Sequence, residues 1–268
     1  MLSKKWAIIS YYTSFFTLVY LFTGYDAFIQ KSHFNFPFYS ASKCLHTSNN
    51  GILSKDPDLI LEQIKNNIIS GLNHFKKGNI LGSIESFDEA QSLNTLKKRQ
   101  PIPQRGIILY IAGMYSEAQI QLLEDIILIE KAKLNKASDL RLWRAACFNK
   151  LNMTKNSIEA LDIDNIEENG LSEDDYLLNC TLNFFAGRKS LEDMIELLGN
   201  DDSKQITSRS FFGNFYLGLY YDSIFNQNLA TGFLSIPAGS EKFKTDDMWH
   251  HVPKVLLSSR GYFHDNQN

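Results

Sequence analysis

Cysteine is scarce, and the three that occur do not cluster. Cys44, Cys147 and Cys180 form no CxxC pair and no spacing of a zinc knuckle or a small disulfide framework. Cys147 and Cys180 read as two unrelated buried thiols on helices, with a bridge between them as the alternative. Proline is also rare, six in 268 residues, so little interrupts a helical pattern. A basic excess is missing as well: a formal net charge of -3 and a pI of about 6.1 exclude a phosphate-driven nucleic-acid binder.

The motifs that carry catalysis are missing from the sequence: there is no GxSxG, GxxxxGK[ST], GxGxxG or HExxH. Without a nucleophile, an acid–base pair or a ligand set, the chain reads as a non-enzyme with no cofactor. His250-His251 beside Asp246-Asp247 is the one cluster that resembles a metal site. Adjacent helical residues point about 100° apart, so the histidines cannot both ligate one ion, and a terminal helix with Trp249 and Val252 turned inward is expected instead. Asp162-Ile163-Asp164 begins like a calcium loop but lacks its glycine and closing glutamate. The acidic groups Glu167-Glu168, Glu173-Asp174-Asp175 and Asp201-Asp202 read as solvated helix starts.

What is present begins with an address. Lys4 and Lys5 precede an apolar run from Trp6 to about Tyr25, then Asp26-Ala27-Phe28, the parts of a secretory signal spanning 1–27. Residues 28–55 contain lysine and hydroxyl side chains but no acid until Asp56, a composition of transit peptides. A signal followed by Phe and an acid-free stretch resembles the bipartite leader of organisms with complex plastids. A plastid is therefore the expected compartment, with a plain secretory signal or an uncleaved anchor as alternatives, the run being about as long as the ~20 residues a bilayer needs.

With 44% hydrophobic residues the rest can bury a sizeable core, and 56–257 is expected to be one all-α body with 258–268 as a flexible tail. Pro57 suits a first helical turn because its missing N–H is not needed there. The body repeats itself. Gly71, Phe75, Gly78, Ser83, Phe87 and Ala90 recur as Gly106, Tyr110, Gly113, Ala118, Leu122 and Asp125. The offset of 35 residues is close to the ~34-residue period of tetratricopeptide helix pairs. Small residues at Gly71 and Gly106 let paired helices approach, and Gly78 and Gly113 suit the turn. A third pair is read from Leu142-Trp143 to Leu161, and a later one from Phe215 through Gly218 to Ala230 and Leu234, ahead of a closing helix at 247–257. Between them, 163–210 is helical in pieces, Asp174–Phe185 and Ser190–Leu198, but irregular. The fold class is thus a tetratricopeptide helical-hairpin solenoid with an irregular middle segment.

Arg105-Gly106 to Tyr110 with Tyr115 to Ala118, the Leu142-Trp143 pair, and Phe215 to Tyr221 resemble the NlpI-type tetratricopeptide lipoproteins of bacteria and the similar proteins of plastids. The resemblance runs from about Ile69 to Leu257. It implies an adaptor that presents partner proteins. Cys44 follows Ser42 and Lys43, which is no lipobox, so the resemblance leans to the plastid branch.

First helices of stacked pairs line a concave face. Their groove positions place Ile68 and Leu72, Pro103 and Ile107, and Phe215 and Leu219 there, without the Lys, Arg or Asn of a carboxylate clamp. An apolar protein-binding groove of Ile68, Leu72, Phe75, Ile107, Tyr110, Phe215, Leu219 and Asp222, with Tyr220 nearby, would suit a partner's amphipathic helix or apolar segment. A structural subunit or homo-oligomer joined through exposed aromatic surface is the alternative function, and membrane attachment is expected only through an uncleaved leader.

Overall fold

A computed structural model describes residues 57–94, 100–132, 137–162, 172–199, 207–240 and 248–262. The leader and transit readings at 1–55 lie outside these residues, as does 263–268. Among the described residues the chain is all-helical. Its helices are α1 (Pro57–Lys76), α2 (Ile80–Asn94), α3 (Pro103–Ile111), α4 (Tyr115–Lys131), α5 (Ser138–Lys150), α6 (Thr154–Leu161), α7 (Glu173–Phe185), α8 (Leu191–Leu198), α9 (Ser208–Ser223), α10 (Gln227–Ala238) and α11 (Met248–Ser259). None of them is long and apolar enough to cross a membrane.

Side chains set several of the helix starts. Ser172, Thr207 and Asn226 each accept a backbone N–H from the first turn that follows. Ser190 and Asp193 complete a reciprocal capping box at α8, and the Ser190 backbone and side chain hold the Asp193 carboxyl below its ordinary range. Pro103 opens α3, where the N–H of the preceding Ile102 donates to buried Asp125 Oδ1 at 2.9 Å.

One turn geometry recurs. Gly78, Gly113, Asn152, Gly187, Phe225 and Gly261 all have positive φ, and they lie 35, 39, 35, 38 and 36 residues apart. At each, the N–H donates three residues back and the next N–H donates five back, all at 2.8–3.0 Å. This double closure satisfies the last carbonyls of a helix in the left-handed C-cap arrangement. It ends α1, α3, α5, α7, α9 and α11.

The residue seven positions before each of the first five turns is Gly71, Gly106, Ala145, Cys180 or Gly218. In the pairs α1–α2, α3–α4 and α9–α10 a Cβ at that glycine would stand 2.8 Å from Phe87, 2.8 Å from Leu122 and 2.5 Å from Leu234. Ser83 and Ser157 reinforce two crossings by donating to the carbonyls of Gly71 and Ala145, at 2.8 and 3.1 Å.

The middle segment is more regular than its sequence indicates. α7 and α8 form a hairpin around Gly187 with the same turn, but α8 begins four residues after Gly187 rather than two. That extra pair shifts buried Met194 out of the expected register. Residues 163–171 and 200–206 lie outside the description.

α3, α5 and α9 are the inner helices, whereas α1 keeps exposed positions from Leu59 to Asn73. Every residue of α3 is buried, as are most of α5 and α9, whereas the second helices keep an open side. α5 packs on α3, α7 and α9, and α11 packs on α10 and also on α1 and α3, bringing the last described helix against the first. Trp143, Phe215 and Trp249 meet in this interior, with ring centroids 5.8–6.4 Å apart. Residues 258–262, expected in a loose tail, belong to the body: α11 continues to Ser259, and Arg260 and Tyr262 bond inward.

Candidate functional site

The interior converges on one carboxylate. Asp222 lies at the C-terminal end of α9 and is 0% exposed. Tyr110 of α3 donates its hydroxyl to Asp222 Oδ2 at 2.7 Å, and Tyr262 donates to Oδ1 at 3.3 Å. Lys150, ending α5, places Nζ 3.3 Å from Oδ1, and Arg260 Nε donates to the same oxygen at 3.1 Å. Two cations therefore face one anion, with phenols completing the shell. Such compensation is what permits a charge to be buried at all.

Burial and the adjacent Asp222 carboxylate push the Tyr110 phenol well up, so it remains a proton donor at neutral pH. The same two causes push Tyr262 up to about 12. Burial works against the charge of Arg260, but Asp222 and the tyrosines outweigh it and hold its guanidinium above its ordinary value. Lys150 moves down because burial prevails over the pull of Asp222.

Arg260 does more than neutralise. Its Nη1 donates to Ile111 O at 2.9 Å and its Nη2 to Tyr110 O at 3.3 Å, two carbonyls at the end of α3. Its guanidinium carbon lies 5.6 and 5.9 Å from the ring centres of Tyr110 and Tyr115. Lys150 in turn lies 4.3 Å from the ring centre of Phe225, an exposed residue in the left-handed turn. A second buried carboxylate, Asp125, accepts from the Ile102 N–H and from Gln121 Nε2, while Gln121 accepts from Arg105.

The eight groove residues divide between two environments. Ile68 and Leu72 are half-buried on α1. Phe75, Ile107, Tyr110, Phe215, Leu219 and Asp222 are buried, and nearby Tyr220 packs on Phe184 and Phe185. The structure brings Tyr110 and Asp222 together, and Phe215 joins the ring cluster, but none of the six lines an open wall. Trp249 of α11 covers Phe215, and Arg260 beyond it covers Tyr110 and Asp222. Lys150, Arg260 and Tyr262 were missed by sequence reasoning. Arg260 carries one signal that could have found it, its place immediately before Gly261, the residue before which a helix commonly closes.

No family model and no curated protein matches this chain.

The remaining sequence candidates are accounted for locally. Trp249 and Val252 are buried, while His250 lies tilted against Phe211 with centroids 5.3 Å apart. Asp162 caps α6 and pairs with Arg141 at 3.1 Å; the rest of its acidic loop lies outside the described residues. Cys147 and Cys180 are buried free thiols, and burial raises Cys147 far above the range in which it would react. Among the described residues no three His, Cys, Asp or Glu side chains gather as a metal set.

Proposed function

We propose that this chain is a non-catalytic helical-repeat scaffold of the tetratricopeptide kind, which holds another protein, and that residues 1–55 direct it to a plastid. The observation carrying the reading is the turn repeated at Gly78, Gly113, Asn152, Gly187, Phe225 and Gly261, with a small residue seven positions earlier in each of the five hairpins. A unit of about this length that packs on its neighbours forms an array whose use is surface. The resemblance to NlpI-type and plastid tetratricopeptide proteins supports the same reading. So does the engagement of Asp125 by Ile102 and Gln121 of the chain itself, which commits that carboxylate to structure.

The reading is tested on the full chain with photo-crosslinking side chains at Met114 and Phe225, beside the Asp222 site, and at Leu81 and Ile127 on the outer helices. A scaffold crosslinks to a different protein and, purified alone, elutes as a soluble species. Absence of any crosslinked protein overturns the scaffold reading. Imaging a reporter fused to Met1–Ser54 tests the compartment.

A structural subunit or homo-oligomer is the second reading, favoured by aliphatic exposure on the second helices: Leu81 is 73% exposed, and Ile127 is more than half exposed. Crosslinks only between copies, or elution only in a large assembly, would select it.

A further inference from the structure

We propose that Asp222, Tyr110 and Tyr115 with the end of α3 form a recognition site for an arginine-bearing apolar helix, filled in cis by α11 and Arg260 and open in trans to a protein partner carrying such a helix. The inference rests on the scaffold reading and deepens it by naming the occupant.

The guanidinium of Arg260 is held as a ligand would be. A carboxylate accepts from one edge, two carbonyls accept from the other nitrogens, and two tyrosine rings lie within 6 Å. That combination selects arginine over lysine, because a lysine has neither the planar fork to span carboxylate and carbonyls nor the face to stack. The rest of the occupant is an apolar stripe. Trp249, Val252 and Leu256 precede Arg260 at helical intervals and are all buried. Trp249 reaches Trp143 and Phe215, the innermost rings of α5 and α9.

Two features suit exchange. The residue of α11 seven before its turn is exposed Lys254, where the other first helices carry a small residue against a partner helix. When Arg260 leaves, Lys150 still pairs with Asp222 at 3.3 Å, so the carboxylate is not stranded. The partner helix is expected to carry an aromatic residue, aliphatics three and seven residues later, and an arginine eleven later.

Two measurements on the full chain test this. Hydrogen exchange on the wild type should show α11 opening at least 100-fold more often than α9. A fluorescent peptide of Met248–Tyr262 should bind the Arg260→Ala chain at least tenfold more tightly than the wild type, since the cis competitor is weakened. The same peptide with lysine for arginine should bind at least tenfold less well. Exchange of α11 only together with α9, or equal or no peptide binding to the two chains, would overturn the proposal. Those results would leave the scaffold reading standing wherever surface crosslinks still capture another protein. If crosslinks capture none, the scaffold reading fails by itself, whatever the peptide does.

Discussion

The phenol of Tyr110 donates to the carboxylate of Asp222 at 2.7 Å across 112 positions of chain. Both residues stand three before a left-handed turn, at Gly113 and Phe225, so equivalent places in two hairpins meet face to face. Asp222→Asn would leave Lys150 and Arg260 buried without their counter-charge, a change that costs about 3 to 5 kcal/mol. Tyr110→Phe removes one hydrogen bond to a charged acceptor, about 1.5 to 3 kcal/mol. Urea unfolding of both single variants and the double variant should show the two losses to be less than additive.

The turn residues give opposed expectations at one geometry. Gly187 sits at φ +72 with open space where a Cβ would go, so Gly187→Ala meets only backbone strain and should lose about 1 to 2 kcal/mol. Phe225 already bears that strain at φ +61 and returns part of it by covering Lys150. Phe225→Gly should therefore shift stability by under ~1 kcal/mol, because relieved strain offsets a lost cation–π contact of about 0.5 to 1 kcal/mol and the added freedom of the unfolded chain. Thermal unfolding of the two variants, compared with wild type, checks the contrast.

At the helix crossings, space decides. Gly218→Ala would bring a Cβ to 2.5 Å from Leu234 Cγ and 3.1 Å from its backbone nitrogen, so α10 itself must move. Gly106→Ala meets only the Leu122 and Gln121 side chains, the closest at 2.8 Å, which can turn away. Overpacking of this kind costs about 1 to 3 kcal/mol, and Gly218→Ala should lie at the upper end with Gly106→Ala below it in a denaturation series.

Acid should loosen the seat of α11. Burial, with His251 and Lys254 adding to it, lowers His250 from 6.5 to about 4. The unfolded chain then binds the extra proton first, so stability is lost as pH falls from about 6.5 to about 4. Asp139 acts in the opposite sense: raised by desolvation to about 6, it takes up a proton on folding and adds stability as pH falls through that value. Comparison with His250→Gln isolates the histidine. The variant's melting temperature should decline less than wild type over that interval.

Local pairing was legible where the residues were consistent. Gly71 with Gly78, and Gly106 with Gly113, announce both a close crossing and a left-handed turn, and the helices end there. The turn at Phe225 was hidden because an aromatic residue is a poor occupant of positive φ; its ring is retained by an ammonium from another hairpin, which no local pattern reveals. The α7–α8 hairpin was hidden by two extra residues after Gly187. Periodicity also says nothing about which helices from distant hairpins meet, so Phe215, Tyr110 and Asp222 read as a groove wall when Trp249 and Arg260 cover them. A lone arginine after the last apolar stripe looks solvated until Asp222 is seen beneath it.

The contact of α11 with α1 has a consequence for synthesis. α1 is complete roughly 170 residues before α11 begins, an interval of about 10 to 30 s at typical elongation rates. Through that interval α1 and the Trp143–Phe215 interior lack the cover of α11, and the newborn chain carries an adhesive flank that α11, or a chaperone standing in for it, can close.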